Sequence, residues 1–291
     1  MSHDHSALWD VSGLLTFFLI FAALVYVRAW FRIRGSAVRL SSVRAVSFIS
    51  GLFLIWIAVA SPIAGFDHEL LTVHMIQHLL LMTLAPPLLW MAEPVLAAGR
   101  ALPERLVSRV KDGLLRRLSL GRLARVLTKP AFCLAAASTV LIGWHIPGSF
   151  AFAMKSQTWH LVQQATFLAA GLLFWWPIVQ PWPSSSRSEL SLILYLFFAT
   201  LPCDVLSGFL VFCDRVVYPA YTSSSHLFGF SALGDQQCAA ALMWTCVTLV
   251  YLVAGAILTI QLLAPQNVYK MALPAGAGLS PNVVQHNAGG A

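Results

Sequence analysis

Two histidines spaced four residues apart form the pattern in this sequence with the clearest chemistry. They are His74 and His78 in His-Met-Ile-Gln-His, inside a long apolar stretch. On an α-helix, side chains at positions i and i+4 project from one face about 6 Å apart, so both imidazoles can bind one metal ion. Because an ionisable group within an apolar span is costly, it indicates a functional site. The spacing therefore predicts a metal site on this helix, with Gln77 as a supporting group.

Three other polar residues occur in later apolar stretches. His145 and His160 lie near the ends of two of them, and Asp204 follows Pro202 in a third. A lone histidine between membrane helices is as well explained by an interhelical hydrogen bond as by metal binding. Because proline frees a backbone carbonyl one turn earlier, we expect a polar pocket near Asp204. By the same reasoning, Pro86-Pro87 predicts a break in the helix below the histidine pair.

The donor types bear on which metal this site would take. Imidazole suits copper, zinc and iron, and additional thioether or thiolate donors favour copper. The His-Glu-x-x-His motif of zinc peptidases is absent from the sequence. Copper is therefore the favoured ion, and haem held between His78 and His145 is the alternative that these residues leave open.

The composition excludes a soluble enzyme and indicates a membrane protein. Of the 291 residues, 58% are hydrophobic and 10% are charged, whereas soluble domains have about 45–50% and about 25%. The five cysteines include no Cys-x-x-Cys pair, which excludes zinc ribbons and thioredoxin-like sites. The net charge of +7 comes mainly from two basic clusters beside apolar segments. Such clusters are typical of an anionic membrane surface, so we expect no nucleic-acid partner.

Seven apolar segments are long enough to cross a bilayer core of about 30 Å as helices. In lipid every backbone polar group must be paired within the segment, so the predicted fold is all-α and polytopic. The predicted spans are Leu8–Phe31, Val43–Ala60, Leu70–Ala92, Ala131–Phe150, Trp159–Val179, Leu190–Phe212 and Cys238–Ala264.

The basic residues predict the orientation of these spans. Sixteen of the eighteen lysines and arginines lie on one side of the predicted membrane, and such an excess marks the cytoplasmic side. The N-terminus is then outside, the C-terminus is cytoplasmic, and eight of the nine histidines lie on the outer side. Residues 1–264 form a single membrane domain, with a basic amphipathic cytoplasmic loop at 93–129. Residues 265–291 are predicted to be a disordered tail.

Several motifs follow one another along the chain in a recognisable order. They are His74-Met-Ile-Gln-His78 leading to Pro86-Pro87, Trp144-His145-Ile-Pro147, His160 leading to Trp175-Trp-Pro177, and Asp235-Gln236-Gln237 with Met243-Trp244. Together they resemble the seven-span CtaG family of cytochrome c oxidase assembly factors, from the third helix to the seventh. The sequence departs from that family at Glu93, where a glycine is common before the proline. It also has Cys238, an additional soft donor, where an aliphatic residue is commoner.

The resemblance implies a multi-pass protein of the inner (plasma) membrane of a bacterium that is not an enzyme. It would help to form the copper-haem centre of a haem-copper oxidase by supplying transiently bound copper to the CuB site. The implied partners are the catalytic subunit of cytochrome c oxidase, an upstream copper chaperone and the lipid bilayer. The expected metal ligands are His74, His78, His145 and His160, and the expected supporting residues are Gln77, Asp204, Asp235 and Gln236.

Two other functions fit the same polar residues. In a copper or small-solute transporter they would mark a translocation path, although the inner halves of the spans contain few ionisable groups. In a haem-binding membrane oxidoreductase, two of the histidines would be axial ligands. Copper uptake into vesicles would favour the first function, and a Soret band would favour the second.

Overall fold

The apolar segments fold into helices throughout the part of the chain that the structure describes. The structure is a computed structural model, and it describes residues 5–34, 41–94, 126–179, 189–222, 229 and 231–263. Within these ranges every regular element is helical. The elements are α1 (His5–Arg34), α2 (Ser42–Val59), a 3₁₀ turn (Pro62–Phe66), α3 (Leu71–Leu79), a π-helical segment (Leu80–Leu84), α4 (Ala85–Met91), α5 (Pro130–His145), α6 (Pro147–Met154), α7 (Gln157–Val179), α8 (Glu189–Phe212), a second 3₁₀ turn (Pro219–Tyr221) and α9 (Ala232–Leu263).

The prediction of an all-α polytopic membrane protein is confirmed. Among the described residues, six helical segments are long and apolar enough to cross a membrane, and a bent helix pair brings the number to seven. The seventh span begins at Ala232, six residues before the predicted start, so Asp235 and Gln236 belong to its first turns. The inside and outside ends of the bundle remain a prediction from the basic residues.

The fourth predicted span is two helices rather than one. α5 ends at His145, α6 begins at Pro147, and their axes are bent by 75°. Ile146 between them has extended backbone angles, because the ring of a following proline disfavours the α conformation. The prediction of one helix over Ala131–Phe150 is therefore wrong. The bend leaves the His145 carbonyl free to accept a hydrogen bond from the Tyr218 hydroxyl at 3.0 Å.

The third span stays helical through its proline pair. Instead of the predicted break, residues Leu80–Leu84 form a π-helical segment in which the Ala85 N–H donates to the Leu80 carbonyl. The wider turn accommodates Pro86 and Pro87, which have no N–H and would collide with carbonyls one turn earlier in a regular helix. Such π segments often lie next to functional sites, and this one directly follows the helix that carries His74 and His78.

Large apolar side chains lie on the outer surface of the bundle as well as in its interior. Phe17, Val205 and Phe212 are 63%, 73% and 77% exposed, which water would oppose and acyl chains would favour. The interior contains one large cluster formed mainly by α3, α7, α8 and α9, with Phe174 and Tyr251 among its buried rings.

Glycine allows α7 to approach the π-helical segment closely. A Cβ atom at Gly171 would lie 2.5 Å from the Met82 carbonyl oxygen and 2.7 Å from Cγ of Pro86. Backbone and a proline ring cannot move aside easily, so a side chain at Gly171 would push the two helices apart. The contact fixes α7 against the helix that carries the histidine pair.

The opposite end of the third span closes with an unusual backbone conformation. Glu93 has a φ of 48°, in the left-handed region where glycine is favoured. The Glu93 carboxylate forms an ion pair with Arg44 at 2.8 Å, which links the start of α2 to the end of α4.

Some predictions concern residues outside the described ranges. Apart from its two ends, the amphipathic loop predicted at 93–129 is outside the described residues. The tail predicted at 265–291 is outside them as well. The division into one membrane domain and a tail remains a prediction.

Candidate metal centre

The four predicted ligands come together inside one end of the bundle. His74 and His78 project from α3, His145 is the last residue of α5, and His160 lies in the first turn of α7. The ring centroids of His74 and His78 are 4.3 Å apart, those of His74 and His160 are 5.3 Å apart, and those of His78 and His145 are 6.0 Å apart. All four residues are buried. The rings face the interior of the protein and do not face lipid.

Most of the imidazole nitrogens in this cluster have no hydrogen-bond partner. Both ring nitrogens of His74, both of His78 and Nε2 of His160 are buried and unpaired. Each unpaired buried donor or acceptor costs about 1–3 kcal/mol, and native proteins contain few of them. Neutral imidazole nitrogens are good metal ligands, so these nitrogens have the chemistry to bind a metal ion.

His145 directs its second nitrogen at a sulfur atom. Its Nδ1 lies 2.7 Å from the Leu141 carbonyl, which can only accept, so Nδ1 carries the proton and Nε2 carries a lone pair. Nε2 lies 3.3 Å from Sδ of Met75. A metal with bonds of about 2.0 Å to nitrogen and about 2.3 Å to sulfur would separate two such ligands by about 3.3–3.5 Å. The two lone pairs are therefore spaced as ligands of one ion.

A small cavity lies beside these donors. Its volume is about 40 Å³, and its wall includes His78, His145 and the sulfur-bearing side chains of Met75, Met82, Met243 and Cys203. A water molecule needs about 10–15 Å³ of such volume, so the cavity has room for a small hydrated ion. Thioether and imidazole donors together suit copper. Cys238, in contrast, is exposed on α9 and is absent from this wall.

Gln77 supports the cluster through a carboxylate that the sequence analysis did not identify. Its amide nitrogen donates to Asp67 at 3.0 Å and to the Ala64 carbonyl at 3.2 Å. Its oxygen accepts from Gln164 at 3.3 Å. Gln77 therefore fixes the position of Asp67, which faces His160, and its amide makes no hydrogen bond with the paired histidines on its own helix.

Asp67 is also fixed from the loop that precedes α9. The Tyr221 hydroxyl donates to the Asp67 carbonyl at 2.7 Å. Burial, followed by the Asp67 carboxylate, raises the pKa of Tyr221 well above its ordinary value. The phenol stays protonated at neutral pH and remains a donor. Tyr218, next to it in the loop, also has its pKa raised by burial.

Asp235 positions the helix that carries His74 and His78 by capping it. Its carboxylate accepts from the backbone N–H groups of Leu71 at 2.6 Å and Thr72 at 3.1 Å, and from the Thr72 hydroxyl at 2.6 Å. These are the first residues of α3, which has no side-chain cap of its own. A carboxylate at a helix N-terminus pairs the unsatisfied N–H groups and complements the helix dipole.

Gln236 holds the loop that precedes α9 by hydrogen bonds. Its oxygen accepts from the Val217 N–H at 2.7 Å, and its nitrogen donates to the carbonyls of Arg215 and Leu210 at 3.1 Å and 3.4 Å. The Asp-Gln-Gln motif therefore ties α9 to the helix and the loop around the histidines.

Asp204 is the one predicted supporting residue that the structure does not bring to the cluster. It is half-buried on α8, and its carboxylate makes no hydrogen bond or ion pair with any described histidine. Its neighbours Pro202 and Cys203 line the cavity instead. The pocket beside this proline is lined mainly by apolar side chains, so the polar pocket expected here is only partly present. Its polar members are His78, His145, Thr83, Ser138 and Tyr251.

The sequence analysis also missed buried polar residues on α7. The Gln163 side chain is buried with both polar atoms unpaired, and the Gln164 oxygen is unpaired as well. Their signal was available: two glutamines three and four positions after His160 lie near its face of a helix.

The comparisons with known proteins identify the family of the chain. Curated proteins and solved structures give no match. The profile of the family Caa3_CtaG, described as "Cytochrome c oxidase caa3 assembly factor", matches residues 24–264, which is most of the chain. This range includes all four clustered histidines and the capping carboxylate. The chain therefore belongs to the family of cytochrome c oxidase caa3 assembly factors.

Proposed function

We propose that this assembly factor delivers copper to the catalytic subunit of the oxidase and so helps to form its CuB centre. The observation that carries the proposal is the set of five unpaired imidazole nitrogens on His74, His78 and His160. His145 and Met75 add a nitrogen and a sulfur at ligand spacing. Copper is the cargo here, and an assembly role of this kind requires no catalytic step.

The arrangement of donors supports transfer more than permanent storage. A structural site encloses its ion with four closely spaced ligands. Here the rings of His74, His78 and His145 form a chain with centroid separations of 4.3 Å and 6.0 Å. An ion can move along such a chain by exchanging one ligand at a time, and a partner protein can remove it by the same exchange.

The membrane position of the cluster also favours delivery. The lysine and arginine distribution predicts that the histidine end of the bundle faces outward. Copper bound there could pass to a neighbouring oxidase subunit in the plasma membrane without crossing lipid, and an upstream copper chaperone outside the membrane could supply it.

The test is to replace His74 and His78 by alanine together and to co-express the variant with the oxidase. The change removes four unpaired polar atoms and no hydrogen bond, but it also removes two buried rings that stack on His160 and Phe167. The amount of variant in the membrane is therefore measured together with the oxidase. The copper-to-haem ratio of the purified oxidase should fall. His286→Ala, in the tail, is the matched control and should leave that ratio unchanged. Full oxidase copper with the double variant would refute the role of this pair.

The same preparations distinguish the two other functions. Copper uptake into vesicles containing this protein alone would indicate a transporter. A Soret band in the purified protein would indicate haem binding. Copper bound by the purified protein, with neither uptake nor a Soret band, is the result that delivery requires.

A further inference from the structure

A second group of metal-binding side chains lies beside the histidine cluster. Asp67, His68 and His160 each offer one ligand atom, and these atoms all lie within 4.8 Å of one another. Two of these residues, Asp67 and His68, are outside the set of predicted ligands. His160 belongs to both groups.

Two of the distances in this group are close to those between ligands of one ion, and both are too long for hydrogen bonds. Nδ1 of His160 lies 3.6 Å from one Asp67 carboxylate oxygen, and Nε2 of His68 lies 3.8 Å from the other. Hydrogen bonds of this kind span roughly 2.7–3.2 Å. Two ligands at about 2.0 Å from one ion with tetrahedral angles are about 3.3 Å apart. The three ligand atoms all lie within 4.8 Å of one another, so an inward movement of the side chains would bring them onto a shared ion.

The group leads from the protein surface to the buried cluster. The His68 side chain is 50% exposed, whereas those of Asp67 and His160 are 7% and 3% exposed. The His160 ring stacks on His74 at 5.3 Å, and its Nε2 is buried and unpaired. An ion bound by His68 and His160 would therefore be accessible from outside. It would also share the ligand His160 with the buried cluster.

The carboxylate of this group is held in place by other contacts. Gln77 donates to Asp67 Oδ2, and Tyr221 donates to the Asp67 main chain. An ionised carboxylate has about four acceptor positions, so these contacts leave lone pairs for an ion. Two imidazoles and a carboxylate bind divalent transition metals, and Cu²⁺ binds most tightly among the first-row ions at nitrogen and oxygen donors.

We infer that Asp67, His68 and His160 form an outer metal site that receives copper and passes it to the His74 and His78 pair through the shared His160 ligand. The handover rests on the proposed function, whereas the outer site itself does not. The ion changes ligands without changing charge: His68 and Asp67 are released as His74 and His78 bind.

The test measures Cu²⁺ binding to the purified full-length protein in detergent. The background is the His74→Ala/His78→Ala variant, which lacks the buried histidine pair and keeps the outer site. Adding His68→Ala should weaken Cu²⁺ binding at least tenfold and remove nitrogen couplings from the electron paramagnetic resonance spectrum. Glu69→Ala removes the carboxylate next to His68 in the sequence and is the control. It should change neither the Cu²⁺ affinity nor the nitrogen couplings.

A second measurement covers the case in which the background variant does not fold. In the otherwise unchanged protein, His68→Ala should alter the Cu²⁺ spectrum, since its half-exposed ring can be removed without opening the core. An unchanged affinity in the background and an unchanged spectrum in the single variant would overturn the outer site while leaving the His74 and His78 pair intact. Loss of Cu²⁺ with His68→Ala, combined with full oxidase copper in the His74→Ala/His78→Ala variant, would instead preserve the outer site and refute the delivery role of the pair.

Discussion

Replacing Asp235 by asparagine should destabilise the protein through the helix that carries the histidine pair. The carboxylate accepts from the N–H groups of Leu71 and Thr72 and from the Thr72 hydroxyl. Asparagine keeps one oxygen for Thr72 but turns an amide NH₂ toward the Leu71 N–H, so that one donor is left unpaired. A hydrogen bond to a charged group contributes about 1.5–3 kcal/mol, and the charge at the helix N-terminus adds about 0.3–1 kcal/mol.

The expected loss is therefore about 2–4 kcal/mol in the free energy of unfolding. At about 2–4 °C per kcal/mol, the melting temperature of the detergent-solubilised protein should fall by roughly 5–15 °C. The ten tryptophans of the chain allow the transition to be followed by fluorescence. Asp214→Asn, the same change at an exposed loop carboxylate, is the control and should shift stability by less than about 0.5 kcal/mol.

A double-mutant cycle tests the assignment of the contact. Thr72→Val removes only the hydroxyl, and its effect should be non-additive with that of Asp235→Asn, with a coupling of at least about 0.5 kcal/mol. If Asp235→Asn melts at the wild-type temperature yet loses copper, the capping explanation is wrong and Asp235 acts at the metal.

Three further substitutions probe packing, backbone conformation and the sulfur donor. Gly171→Ala should lower the melting temperature strongly. Gly143→Ala is the control and should not lower it, because an added Cβ there has no neighbour within 4 Å. Equal melting temperatures of the two variants would contradict the close approach of the two helices at Gly171. Glu93→Gly should change the free energy of unfolding by less than about 1 kcal/mol, because relief of the positive φ offsets the lost ion pair. Glu93→Val should instead destabilise the protein, and a normal melting temperature for that variant would contradict the left-handed conformation. Met75→Leu keeps the side-chain volume, so stability should change by less than about 1.5 kcal/mol, while copper affinity measured with a competing chelator should fall at least tenfold if Met75 and His145 share an ion.

The sequence predicted the apolar helices well because lipid imposes a strict rule on length and composition. It also predicted the inward-facing pair, since the spacing of His74 and His78 by itself fixes a common helix face. Pro147 gave a local signal for the bend after His145, but the apolar run continued past it, and the predicted span was therefore drawn straight.

The remaining parts of the site depend on contacts between distant residues. Asp235 caps a helix that begins 164 residues earlier, and no local pattern predicts which helix a buried carboxylate will reach. Asp67 adjoins an exposed histidine and would ordinarily be interpreted as a solvated loop residue. Its importance appears only when Gln77 and His160 are placed around it.

The π-helical segment determines which residues of the third span can face α7 together. In a regular helix of 3.6 residues per turn, the seventh residue after His78 lies on nearly the same side of the helix as His78. The eighth residue is rotated from His78 by about 80° around the helix axis. One extra residue in the wide turn shifts this phase, so Pro86 comes to lie below His78. The contacts agree: the His78 ring stacks on Phe167 at 3.9 Å, and Pro86 lies against Gly171, one turn further along α7. Deleting one residue of Leu80–Leu84 would make Pro86 the seventh residue after His78, so a regular helix would keep this alignment. The cost would lie in the proline rings, which would then meet carbonyls one turn earlier without the wider turn to accommodate them.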